Sequence, residues 1–275
     1  MWFKIDSVKA EQTYQHTAIL IMLKAIEEIY GDDVRVRIGN SLNQGFYVYL
    51  GHTDRDMTTS EVARISREME DLIREDLPIN KETVTNTEAA QIWAELGYKD
   101  KAKLFSQADP GGKVELCSLQ GYTEYFYGDV LPSTGYVELF ELKPYRTGFL
   151  LRLPGMLHPE SLAPYRDDIK LYTAYANTKK LRKLNDIDYL ADLNRIIDDG
   201  EIRSLIEDSE ASQEAEILAI ADMIIEEGRR LVLIAGPSSS GKTTFAHKLC
   251  DAIEAKAVAP LYLGTDDYFV ERVQQ

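Results

Sequence analysis

The stretch Gly236-Pro237-Ser238-Ser239-Ser240-Gly241-Lys242-Thr243-Thr244 fits the pattern G-x-x-x-x-G-K-[ST]. Loops with this pattern hold a polyphosphate, because successive backbone N–H groups converge on the oxygens and the following helix adds its positive N-terminal end. An uninterrupted apolar run, residues 231–235, comes before the loop and is typical of a strand buried on both faces. Residues 244–255 predict a helix with one apolar side. The order strand, loop and helix therefore predicts a phosphate-binding turn, and the alternative is a Ser/Gly-rich turn that binds no ligand.

The pattern assigns a role to each position of the loop. Lys242 would reach the outer phosphates of ATP, and the Thr243 hydroxyl would coordinate Mg²⁺. The remaining contacts to ATP are expected from residues of the loop and of the first helical turn: Gly236, Ser238, Ser239, Ser240, Gly241 and Thr244. Together these features predict that residues 229–275 are the N-terminal part of an α/β P-loop NTPase domain.

A second strand is predicted at residues 257–263, and Asp266 and Asp267 follow it. Open α/β sheets bind their ligands just beyond the ends of their strands. A carboxylate at this place would accept a proton from a hydroxyl that attacks the γ-phosphate, or would hold Mg²⁺ through water. The alternative for such a pair is an Asx turn or a helix cap. Beside the phosphate loop we favour catalysis, with Lys242 and Asp266 as the catalytic residues.

Composition limits the class of protein. The chain has 275 residues, a net charge of −15, 44% apolar residues and two cysteines, Cys117 and Cys250. The apolar runs are too short to span a bilayer, and two cysteines suit a reducing compartment, so we expect a cytoplasmic protein without a membrane partner. The acidic balance argues against broad attraction to nucleic acid but leaves a local basic patch open. The sequence also leaves a homo-oligomer open.

Residues 1–153 mix helical and strand patterns and predict an α+β domain with a mostly antiparallel sheet. The predicted helices and strands are residues 12–30, 34–38, 46–50, a helix capped by Thr58 and Glu61, 87–96, 114–119, 122–127, 136–142 and 148–153. Three prolines then interrupt the chain. Residues 154–228 are acidic and helical in pattern, and they predict a helical connector to the phosphate-loop region.

The N-terminal region resembles the second N-terminal domain of threonyl-tRNA synthetase. The resemblance rests on residues 16–20, 37–39, 45–47, 76–79 and 131–135. In that family the domain removes wrongly attached amino acids with a His-x-x-x-His pair and a Cys-x-x-x-His pair. Here His16 matches the first position, whereas Leu20, Phe126 and Val130 occupy the other three. Because those side chains cannot ligate a metal or move a proton, we expect neither zinc nor editing activity.

RNA binding by this region is the less favoured interpretation. Residues 1–153 carry 24 acidic and 17 basic side chains. Arg35 and Arg37 share the exposed face of one predicted strand, which is commonly an ordinary solvated edge. The aromatic residues between Tyr122 and Tyr127 would stack RNA bases or simply pack a sheet, and we favour packing. Nucleic acid is accordingly an unlikely partner by this reasoning.

The phosphate loop together with Asp266-Asp267-Tyr268-Phe269 resembles the uridine kinase and phosphoribulokinase family. The resemblance implies that Asp266 is the catalytic base, that Tyr268 and Phe269 line the acceptor pocket, and that the reaction is ATP-dependent phosphorylation of a nucleoside-like hydroxyl compound. The sequence ends after two of the strands that this family would require, so we interpret it as a piece of a longer kinase, inactive alone. The alternative is a nucleotide- or tRNA-binding module with no turnover of its own.

Overall fold

The computed structural model describes residues 3–31, 34–50, 56–184, 187 and 189–264. Its contacts divide the chain into two compact units, Met1–Asp192 and Leu193–Gln275. The sequence-based boundaries at residues 153 and 228 stay predictions. The described residues do not include Asp266, Asp267, Tyr268 and Phe269. Their roles as catalytic carboxylates and acceptor-pocket residues therefore stay predictions.

The first unit contains five complete helices and seven strands in its described part. In chain order these are α1 (Val8–Tyr30), β1 (Val36–Leu42), β2 (Gly45–Leu50), α2 (Thr59–Arg74), β3 (Asn80–Thr85), α3 (Asn86–Glu95), α4 (Lys99–Ser106), β4 (Lys113–Leu119), β5 (Tyr122–Tyr125), β6 (Glu141–Tyr145), β7 (Gly148–Arg152) and α5 (Ile169–Leu184). One sheet has the order β1-β2-β7-β6 and the other β3-β4-β5, and every pairing is antiparallel. The α+β prediction with an antiparallel sheet is confirmed.

Helix α1 occupies the centre of the main core. Its apolar positions cover much of its circumference, and Ala18, Leu20, Ile21 and Met22 are fully buried. Side chains of α2 and of both sheets pack in the same cluster. Helix α2 begins where the sequence predicted: the Thr58 hydroxyl accepts from the backbone N–H of Glu61. The Glu61 carboxylate accepts in return from the Thr58 N–H, which completes a capping box.

A second, smaller core lies between α3, α4 and the three-stranded sheet. Trp93 is its largest buried side chain, and Val84, Phe105 and Leu116 pack beside it. Strand β3 was not predicted, because only Val84 of its six residues is buried and no alternation marks it. This core matters for function because its aromatic rings form one side of the pocket described below.

The strand predicted at residues 136–142 is wrong for its first five residues. Residues Thr134–Tyr136 form a 3-10 turn, and the strand begins at Glu141. The fully buried Thr134 hydroxyl donates to the Leu72 carbonyl at 2.6 Å and accepts from the Leu77 N–H at 2.8 Å. These long-range bonds fix the turn, and no local sequence pattern contains them.

In the second unit, α7 (Ile202–Glu226) packs against α8 (Lys242–Glu254), while α6 (Leu190–Asp198) spans the boundary between the units. The shared core is formed by Ile217, Ala221 and Ile224 on α7 with Leu249, Ala252 and Ile253 on α8. Helix α8 is therefore confirmed as the helix predicted after the phosphate loop.

The strands predicted around that loop are not formed in the described part of the second unit. Residues 231–235 and 257–263 are irregular, and Leu231 and Leu233 are 76% and 83% exposed. A strand requires a neighbouring backbone to complete its hydrogen bonds, and these runs have none among the described residues. The start of a P-loop NTPase sheet is therefore not established. No described helix is both long and apolar enough to cross a bilayer.

Candidate nucleic-acid interface

A cavity of the first unit has a volume of about 670 Å³ and opens to solvent. Four parts of the chain line it: α1, the residues at the start of β1, the beginning of α4, and β5 with the residues after it. Residues 189–191 complete the lining. We call this cavity the aromatic pocket, since its wall includes Tyr98, Tyr122, Tyr125, Phe126, Tyr127 and Tyr189.

Strand β5 and the residues after it supply most of the aromatic wall. Tyr122 is 7% exposed, and burial raises its pKa well above the ordinary value. Burial likewise raises the pKa of Tyr125 to about 12. Tyr127 contacts Tyr125 edge to face, with ring centroids 5.9 Å apart, yet it is 89% exposed. The aromatic rings are therefore buried inside the pocket and exposed to solvent at its mouth.

Lys101 and Glu124 form an ion pair in the wall. The Lys101 ammonium lies 2.7 Å from both carboxylate oxygens of Glu124. It also lies 4.2 Å from the centre of the Trp93 ring and 4.8 Å from that of Tyr98. The pair is largely buried, with 24% and 12% of the two side chains exposed, so it fixes the α4 side of the pocket to β5.

His16 lies at the α1 side of the pocket. Its Nδ1 atom is 3.1 Å from the Asp129 carbonyl oxygen, and its ring stacks on Phe126 with centroids 5.0 Å apart and planes 21° apart. Gly128 allows this approach: its φ is +134°, and a Cβ there would meet His16 Cε1 at 3.2 Å. The structure thus brings together two of the four positions that the synthetase resemblance singled out.

The other two positions are part of the packed core. Leu20 is fully buried and Val130 is 5% exposed, and both belong to the main apolar cluster. Among the described residues there is no group of three or more His, Cys, Asp or Glu side chains that could hold a metal. The zinc content of the protein remains a prediction that elemental analysis has to test.

The segment after β5 is held by the buried hydroxyl group of Thr17 and by an ion pair of Asp129. The Thr17 hydroxyl accepts from the Leu131 N–H at 2.8 Å and donates to the Thr13 carbonyl at 2.7 Å. Asp129 is paired with Lys9 at 2.9 Å, and hydrogen bonding and charge from Lys9 lower its pKa. Lys9 is largely exposed, so a phosphate approaching this side of the pocket would meet a cation that a carboxylate already neutralises.

In the second unit, the loop of residues 236–241 turns into α8 as the sequence predicted. Gly241 has φ +80°, a conformation that favours glycine. The Lys242 ammonium donates to the Pro237 carbonyl at 2.6 Å, within its own loop. A cavity of about 470 Å³ is lined by Ser240, Gly241, Lys242, Thr244, Lys248 and neighbouring residues. The predicted contacts of Gly236, Ser238, Ser239 and Thr243 with ATP or Mg²⁺ stay predictions.

Sequence reasoning missed Lys101, Glu124 and Tyr98 as parts of a site. Lys101 follows Tyr98 by three residues, one helical turn, but this spacing is ordinary on a solvated helix face. Glu124 stands 23 residues further along the chain, so no motif connects it with Lys101. The aromatic run of residues 122–127 is the one sequence signal that points to the pocket, although such a run is equally typical of a packed sheet.

Comparison with known proteins identifies relatives of the N-terminal region. The chain is 31% identical over 138 residues to the threonine–tRNA ligase of Syntrophotalea carbinolica, covering 50% of this chain and 22% of the relative. It is 30% identical over 139 residues to the threonine–tRNA ligase of Thermotoga neapolitana, covering 50% and 21%. The Burkholderia lata ligase is 29% identical over 128 residues, 46% of this chain and 20% of its own length. No protein-family profile matches the chain.

These relatives confirm the resemblance of the N-terminal region to threonyl-tRNA synthetase, and the chain spans about a fifth of their length. They overturn the prediction of a uridine kinase-like phosphotransferase, since the curated relatives are tRNA ligases. That prediction rested on the phosphate loop together with Asp266-Asp267-Tyr268-Phe269, and these four residues lie outside the described part of the chain. A nucleoside-like phosphate acceptor has no support, and the names of the relatives, which are tRNA ligases, count against the prediction that nucleic acid is an unlikely partner.

Proposed function

We propose that the first unit is an RNA-binding module that takes the unpaired 3′ end of a tRNA in the aromatic pocket and performs no reaction on it. Two observations support the proposal. The relatives of this region are enzymes that, by their names, join threonine to tRNA. The same region carries a cavity walled by six aromatic rings, and unpaired RNA bases are recognised by stacking on such rings.

The single observation that carries the proposal is the exposed ring of Tyr127 at the mouth of the pocket. A tyrosine that is 89% exposed gains little from packing, whereas a ring at the entrance of an aromatic cavity offers a stacking surface to a base. Catalysis is left out of the proposal because His16 stacks against Phe126 and lies 3.1 Å from a backbone carbonyl, and because Leu20, Phe126 and Val130 cannot move a proton.

The experiment compares two RNA hairpins, one with a four-nucleotide unpaired 3′ end and one with a blunt end, by fluorescence anisotropy. We expect the full chain to bind the first hairpin more tightly. Tyr127→Ala should weaken that binding about fivefold or more, since stacking of one base contributes about 1–3 kcal/mol. Tyr165→Ala removes a partly exposed tyrosine outside the pocket lining and serves as the matched control. Equal affinities for both hairpins would contradict the proposal.

A second proposal concerns residues 236–244: the loop binds the phosphates of a nucleotide such as ATP, with Mg²⁺, as a sensor without turnover. It is supported by the pattern of the loop and by the cavity that Ser240, Lys242 and Thr244 line in front of α8. Binding would release the Lys242 ammonium from the Pro237 carbonyl and turn it to the phosphate.

Isothermal titration with ATP and Mg²⁺ tests the loop. Lys242→Ala should weaken binding at least tenfold, because the variant lacks the ammonium that would face the outer phosphates. Thr243→Ala should remove most of the dependence on Mg²⁺. Lys256→Ala is the control, since Lys256 pairs with Asp222 and does not line the cavity. Unchanged affinity in Lys242→Ala would refute a phosphate role for the loop.

A further inference from the structure

The cavity beside the phosphate loop continues along α8 instead of ending at the loop. The N-cap and one face of α8 line it, at the positions i, i+3, i+4 and i+7 that share a helix face: Gly241, Thr244, Phe245 and Lys248. Helix α7 packs against α8 and contributes Gln213 and Ile217, which are one turn apart. The cavity is therefore a groove between two helices, and we call it the helix groove.

The helix groove differs in charge from the unit around it. Residues 193–275 carry 16 acidic and 8 basic side chains. The lining of the groove, as far as the structure describes it, contains two lysines, Lys242 and Lys248, and no Asp or Glu side chain. An anion that enters the groove would therefore meet a local positive charge in an otherwise acidic unit.

The two lysines of the groove differ in their contacts. The Lys242 ammonium donates to the Pro237 carbonyl at 2.6 Å, within its own loop. Lys248 is exposed, and within the described part of the chain it has no hydrogen bond or ion pair, not even with Asp251 one turn further along α8. The charge of Lys248 is therefore available to a ligand without the loss of an existing contact.

Lys248 stands where it can reach a phosphate that lies beyond the loop. It follows Lys242 by six residues, which corresponds to about 9 Å along a helix axis. Long side chains of a helix lean toward its N-terminus, so a lysine at this position extends back toward the loop. Two cations with this separation suit a chain of phosphates, whereas the loop and Lys242 alone suit a shorter anion.

We infer that Lys248 binds the inner phosphate of a nucleoside triphosphate whose outer phosphates are held by the loop and Lys242. This inference rests on the proposed binding of a nucleotide by residues 236–244. A triphosphate would extend from the loop to Lys248, whereas a pyrophosphate would occupy the loop alone. Lys248 therefore makes the helix groove selective for the length of the phosphate chain.

Isothermal titration of the full chain with inorganic triphosphate and with pyrophosphate, each with Mg²⁺, tests the inference. Lys248→Met keeps the apolar stem and removes the charge. It should weaken triphosphate binding about tenfold, the usual effect of losing one charge-assisted hydrogen bond. Pyrophosphate binding should weaken about threefold or less, because a charge without direct contact is screened by salt. Lys248→Arg keeps a cation with N–H donors and should retain the preference for triphosphate.

Lys256→Met is the matched control, since Lys256 pairs with Asp222 and does not line the groove, and it should stay within about twofold of the wild type for both anions. Circular dichroism verifies that each variant keeps its helices. Equal weakening of both anions in Lys248→Met, or no weakening of either, would overturn the inference, while the binding of ATP by the wild type would keep the loop proposal intact. Failure of the wild-type protein to bind ATP would overturn both.

Discussion

Replacement of the buried Thr134 by valine should destabilise the first unit without changing its shape. Valine matches the shape of threonine but lacks the hydroxyl, so the Leu72 carbonyl and the Leu77 N–H lose their partner. Thr134 is fully buried, and an unsatisfied buried group costs about 1–3 kcal/mol. With one buried and one partly buried backbone group affected, we expect the free energy of unfolding to fall by about 2–4 kcal/mol.

Urea unfolding followed by tryptophan fluorescence measures this change. Both tryptophans, Trp2 and Trp93, belong to the first unit, so the signal reports that unit alone. With a slope of about 2 kcal/mol per molar urea, the midpoint should fall by about 1–2 M. Thr134→Ser keeps the hydroxyl and should cost about 1 kcal/mol for the lost methyl group. A valine variant that unfolds within 0.5 kcal/mol of the wild type, a margin typical of surface changes, would refute the reasoning.

Two further predictions concern pH and metal. Burial raises the pKa of Tyr14 to about 12 in the folded protein. Below pH 10 the tyrosine is protonated in both the folded and the unfolded state, so the stability that the buried phenol contributes is complete. This stability is lost as the pH rises to 12, because the unfolded tyrosine then ionises first. The urea midpoint should therefore fall between about pH 10 and pH 12, and less so in Tyr14→Phe; an equal fall in that variant would exclude Tyr14 as a cause. Protein purified without chelator should contain no stoichiometric zinc, because Leu20, Phe126 and Val130 cannot ligate it. Elemental analysis checks this, and one zinc per chain would contradict it.

The parts of the fold that depend on local sequence were predictable. The capping box of Thr58 and Glu61 joins residues three apart, and the all-round apolar pattern of α1 marks a central helix in any arrangement of its neighbours. The turn at Thr134 was not predictable from local sequence. Its hydroxyl reaches residues 57 and 62 positions away, and such bonds exist only after the chain has folded.

The candidate site also contains residues that the sequence singles out and residues that only the folded chain brings together. His16 and Phe126 were singled out by the synthetase resemblance, and the structure stacks their rings. The Lys101–Glu124 pair was missed because its members stand on different elements and neither belongs to a motif. The kinase prediction failed for a related reason. A phosphate loop is a local pattern, whereas the sheet that would make it part of an NTPase requires strand partners that residues 231–235 do not have in the described structure.

The most direct test of RNA binding in the aromatic pocket is a crosslink from the RNA end itself. A tRNA-like hairpin would carry 4-thiouridine as its last unpaired 3′ nucleotide, and a second hairpin would carry it in the paired stem. After irradiation with the full chain, mass spectrometry would locate the attached peptide. The account predicts a crosslink from the terminal nucleotide to the peptide that contains Tyr125, Phe126 and Tyr127, competed by unlabelled hairpin and lost in the blunt-ended RNA. A terminal nucleotide that crosslinks only outside the pocket lining would contradict it.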